Sequence, residues 1–73
     1  MYLVIKDNET SEVLAEAASD MTPAPGDVVR LDGRKPRIVV HLEVHMTQHS
    51  AAFTGEARFA TVVHVYTEPH DAE

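Results

Sequence analysis

The sequence predicts a mainly β domain, a small and strongly bent antiparallel sheet or a partly open SH3-like barrel of about five strands. Two apolar/polar alternations, at 40–46 and 59–65, carry the strand assignment. About five strands at short spacing, punctuated by proline and glycine, point to such a sheet or barrel. A chain of 73 residues holds one domain, expected here as residues 1–67 followed by a flexible tail at 68–73.

Tyr2-Leu3-Val4-Ile5 is a run of β-formers that ends in the turn-like Asp7-Asn8-Glu9-Thr10. Residues 11–18 admit two readings. Val13, Ala15 and Ala17 suit one face of a returning hairpin strand, whereas Leu14, Ala15, Glu16 and Ala17 behind a capping Ser11 suit a short helix. The hairpin is preferred because eight residues make a poor helix. Pro23 and Pro25 then hold an extended connection up to Gly26-Asp27. Val28 to Leu31 forms a brief strand, and Asp32-Gly33 signals a hairpin turn because Gly33 accepts a positive φ. Pro36 lacks a ladder donor, so pairing is expected to start after it.

The clearest strand runs from Arg37 to Met46, with Val40, Leu42, Val44 and Met46 expected toward the core and His41, Glu43 and His45 on the opposite side. Residues 47–56 read as a loop ending in Thr54-Gly55-Glu56. Ala57 to Thr67 is the last strand, with Phe59, Thr61, Val63 and Val65 inward and Ala60, Val62, His64 and Tyr66 outward. Pro25-Gly26-Asp27-Val28-Val29-Arg30-Leu31-Asp32-Gly33 resembles the opening of a strand in SH3-like barrels. The likeness covers those residues alone and implies the barrel geometry without a function.

Twelve acidic against six basic side chains give a formal charge of −6, which repels phosphate backbones and argues against a nucleic-acid partner. Arg30, Arg34, Lys35 and Arg37 could still form a local basic patch, set against the plainer reading of a solvated turn. The chain contains no cysteine, so disulfides and thiolate metal sites are excluded and a reducing, cytoplasmic setting is expected. No apolar run is long enough to span a bilayer, and no signal-peptide pattern stands at the start.

Five histidines are the only constellation with possible chemistry. His41, His45 and His49 are spaced to line up on a helix, but on a strand only His41 and His45 share a face. One antiparallel register sets His41 opposite His64 with Glu43 beside them, where His41, Glu43 and His64 could hold Zn²⁺ with an open position. Adjacent registers set His41 opposite Val62 or Tyr66 instead. Without that metal, no cofactor is implied. The same outward residues, His41, His45, Val62, His64 and Tyr66, form a half-apolar face suited to a protein interface.

No phosphate loop, nucleophile elbow or metalloprotease motif is present, and Ser50 beside His49 lacks a third group to orient the pair. The expectation is therefore a non-enzymatic binding module acting through protein contacts. It would be a small acidic accessory or inhibitory factor that binds a protein partner or itself as a homodimer. A metal-binding or small-ligand-binding β domain is the alternative.

Overall fold

A computed structural model describes residues 1–50 and 57–70, with backbone alone at 47–50 and 57–59. It contains five strands: β1 (Tyr2–Asp7), β2 (Val13–Ala18), β3 (Val28–Val29), β4 (Arg37–Ser50) and β5 (Ala57–Pro69). Among the described residues there is no helix, and the strands form a single strongly curled half-barrel sheet in the order β2-β1-β5-β4-β3. Within the stretch at 11–18, Val13–Ala18 is thus the returning strand of a hairpin. Ala15 and Ala17 lie opposite Ile5 and Leu3 on the core face, whereas a register shift sets Val13 opposite Lys6, off the face it is expected to share with them. One correction concerns direction: the sheet is mixed, because β1 runs parallel to β5, with Tyr2 beside Val62 and Asp7 beside Thr67.

Alternation along three adjacent strands builds the concave core. Leu3 and Ile5 of β1, Val63 and Val65 of β5, and Val39 of β4 are buried together, with Ala15, Val29, Leu31 and Leu42 packed at the margin. The chain between β2 and β3 crosses this concave side, leaving a shallow groove between Leu3 and Ile5 beneath and Met21 and Pro23 above. It ends in a turn at 24–27. Pro25 and Gly26 occupy its two central positions, Gly26 takes a φ of 94° and the Asp27 N–H donates to the Ala24 carbonyl at 3.0 Å. Gly26 and Asp27 also exchange backbone hydrogen bonds with Val39, both at 2.9 Å.

β4 departs from the expected pattern at one residue. The register shifts between Val39 and His41, so Val39 sits opposite Thr67 and His41 opposite Tyr66, while Val40 is accommodated as a bulge. Val39 is therefore the inward residue, 2% exposed, and Val40 is exposed. From Leu42 onward the expected parity holds, yet Val44 and Met46 are 60% and 61% exposed. They share the core face through their partners Val63 and Thr61, but Val44 lies at the outer end of the stretch that β1 flanks and Met46 lies past it.

The reason is the length of the β4–β5 hairpin. Strand pairing continues to Ser50 opposite Ala57, so residues 47–50 are extended rather than part of a loop, and the turn expected at 54–56 lies outside the described residues. β1 flanks β5 only from Val62 to Thr67, and β3 flanks β4 only at Arg37 and Ile38. A two-stranded ribbon consequently projects from the half-barrel, and the molecule measures 54 × 21 × 19 Å. β5 runs through Pro69, past the expected strand end at 67, and the His70 N–H donates to the Pro36 carbonyl at 3.1 Å. The remainder of the expected tail, 71–73, lies outside the described residues.

At the opposite end, a polar pin closes the sheet. The Arg37 guanidinium pairs with Asp7 and donates through Nε to Thr67 Oγ1 at 2.8 Å and through Nη2 to the Thr67 carbonyl at 3.1 Å. Thr67 is fully buried and donates in turn to the Lys6 carbonyl at 2.8 Å. Three strands, β1, β5 and β4, are tied at one point.

Candidate functional site

The outward residues of β1, β5 and β4 fall into rows across the convex face. Reading from β1 to β4, one row is Tyr2, Val62 and His45, the next Val4, His64 and Glu43, and the third Lys6, Tyr66 and His41. Pairing alone fixes this arrangement, since directly opposed residues share a face with Cβ atoms about 5 Å apart. All five residues expected in an interface, His41, His45, Val62, His64 and Tyr66, lie on it. What the sequence does not reveal is the share contributed by β1: Lys6 stands 5.7 Å from the Tyr66 ring centroid, and Val4 is buried beside His64.

The bulge at Val40 decides which imidazoles meet. His41 stacks on Tyr66, with centroids 4.4 Å apart and planes 11° from parallel, and does not oppose His64. Glu43 occupies the position opposite His64. The two histidines in contact are His45 and His64, neighbours on the diagonal, with centroids 4.2 Å apart and planes tilted by 48°. Glu43 Oε2 accepts a hydrogen bond from the Tyr66 hydroxyl at 3.1 Å and faces His45 Nε2 at 3.5 Å.

These contacts set the protonation of the face. The Tyr66 hydroxyl, followed by His45, holds the Glu43 carboxyl below the ordinary glutamate range. Desolvation, followed by the Glu43 hydrogen bond, pushes the Tyr66 phenol up. Burial, with Lys6 and His45 adding to it, lowers the His64 imidazole. Its Nδ1 is buried without a hydrogen-bond partner, a position that favours the neutral ring.

Zinc binding by His41, Glu43 and His64 finds no convergent geometry here. Among the described residues, no group of three or more histidine, aspartate or glutamate side chains could hold a metal ion. Of the four basic residues, Arg37 is half-buried in the polar pin. Arg30, Arg34 and Lys35 are exposed on the turn between β3 and β4, where Gly33 takes a φ of 73° and the Arg34 N–H donates to the Leu31 carbonyl at 3.1 Å. The side chains of His49 and Ser50 lie outside those described.

A second surface stands beside the histidine face. From Val40 to Ser50, no strand among the described residues pairs with the outer edge of β4. Alternate residues there turn their N–H and C=O groups away from β5. Val44 and Met46 flank this edge on the core side; Glu43 and His45 flank it on the convex side.

No helix among the described residues is long and apolar enough to cross a membrane. Comparison with protein-family models, with curated proteins and with solved structures finds no match to the chain.

Proposed function

We propose that this chain is a non-enzymatic binding module that acts through protein–protein contacts and associates with itself. The observation that carries the reading is the projecting β4–β5 ribbon with its free β4 edge. A two-stranded ribbon is marginally stable alone in water, and an unpaired edge is a template for another strand. Val44 and Met46 add exposed apolar surface at the same place, of the kind that contacts cover. The Glu43 carboxylate is engaged by Tyr66 and His45 on an open convex face rather than in a cleft that excludes water, which favours recognition over catalysis. The charge of −6 suits a small accessory or inhibitory factor facing a basic protein, and the cysteine-free composition suits the cytoplasm.

Sedimentation equilibrium tests the association directly. A species of twice the 8.1 kDa chain mass at micromolar concentration is expected. A chain that sediments as a monomer throughout, and that recovers no specific protein in a pull-down, would overturn the reading.

A further inference from the structure

We infer that two copies join through β4 to β4, antiparallel, about a twofold axis at Val44, so that the two half-barrels share one continuous sheet. The inference rests on the self-association proposed above and specifies its register. A twofold contact is self-complementary: whatever residue 43 meets on the partner, the partner's residue 43 meets here.

With the axis at Val44, the ladder runs from 40 to 48, stopping where Gly26 and Asp27 already occupy the backbone of Val39. Leu42 then lies opposite Met46 of the partner subunit, and Val44 lies opposite its own copy. Three apolar positions that are exposed or only half-buried form one stripe continuous with each core. On the convex side, Glu43 falls opposite His45 of the partner subunit, and the reverse, giving two cross-strand acid–imidazole pairs. Each copy carries a net charge of −6, so a contact between copies is helped by such local compensation.

Neighbouring axes do worse on the same criteria. An axis at Glu43 sets two carboxylates face to face. At His45 the two imidazoles oppose each other, and Glu43 meets a threonine. At Leu42 the ladder shortens to 40–44 before β3 and its turn obstruct it. At Met46, Val44 faces a glutamine and the apolar stripe is lost.

The cysteine-free sequence makes single introduced cysteines specific reporters. Residues opposed across an antiparallel ladder have Cα atoms about 4.5 or 5.5 Å apart, within the roughly 4.4–6.8 Å that a disulfide spans. On mild oxidation, Val44→Cys is expected to become mostly covalent dimer. Leu42→Cys and Met46→Cys are each expected to stay uncoupled alone and to cross-link when mixed. Sedimentation of the unoxidised wild type separates the two claims. A dimer in which Val44→Cys fails to couple, or in which Leu42→Cys couples alone as readily, overturns the register and leaves self-association standing. A wild-type monomer overturns both.

Discussion

Thr67 is fully buried and its hydroxyl bridges two strands, accepting from Arg37 Nε and donating to the Lys6 carbonyl. Thr67→Val keeps the shape and strands both partners, which costs about 1–3 kcal/mol. Thermal unfolding should report a Tm lower by roughly 4–8 °C for each kcal/mol, and an unchanged Tm would remove the pin from the stabilising features. His64 acts with the opposite sign. In the unfolded chain its imidazole takes up a proton near 6.5, whereas burial lowers that value in the fold. Below about 6.5 the unfolded state therefore binds more protons, and stability falls as pH drops. Asp7 and Glu43 are held below 3.8 and 4.5, so their contributions are lost only in more acid solution. Between pH 7.5 and 5.5, the urea midpoint of the wild type should decline more steeply than that of His64→Val. Parallel slopes would exclude His64 as the source.

The first hairpin shows what a single backbone conformation does to an element. Ser11 takes a φ of 61°, and its N–H donates to the Asp7 carbonyl at 2.9 Å. The left-handed region costs a side-chain-bearing residue roughly 1–2 kcal/mol, offset in part by the greater chain entropy of glycine. Ser11→Gly should raise stability by a few tenths to about 1 kcal/mol in a denaturant titration, and a loss would show that the turn is unstrained. Local signals locate this hairpin and β4, because Ala15 and Ala17 share a face, as do Leu42, Val44 and Met46; Val13, expected on the face of Ala15 and Ala17, lies instead opposite Lys6 after a register shift in β2. The bulge was not legible. Ile38-Val39-Val40 is apolar at every position, so periodicity cannot say which residue is displaced, and that displacement decides whether His41 meets His64 or Tyr66. Residues 47–50 read as loop in the sequence because they are uniformly polar, a pattern that backbone pairing across a long hairpin tolerates and that alternation cannot detect.

At the scale of the whole molecule, the convex histidine face and the β5 side of the core, Val63 and Val65, are legible from parity along β4 and β5, whereas on β4 Val40, Val44 and Met46 are exposed and Val39 is the buried residue. The parallel β1–β5 pairing is not legible: it joins residues at opposite ends of the sequence, and no local signal encodes which distant strand lies alongside. Lys6 and Val4 were accordingly absent from the expected face. Association, if it covers the ribbon, should also appear as mass action. The wild-type Tm is expected to rise with protein concentration, whereas Val44→Asp, at a position 60% exposed, should fold with a concentration-independent Tm. A concentration-dependent Tm in Val44→Asp would show that the copies meet elsewhere.

The placement of β1 between β2 and β5 has a consequence for how the chain is made. Tyr2 waits for Val62, so β1 leaves the ribosome with its inner flank open until some sixty further residues have been added after Tyr2. At ordinary synthesis rates of about 5–20 residues per second, that interval is roughly 3–12 s. For those seconds Leu3, Val4 and Ile5 have no cover from the missing strand, and the nascent chain is most vulnerable to sticking to its neighbours. Truncation anywhere before residue 62 should yield insoluble product rather than a smaller folded protein.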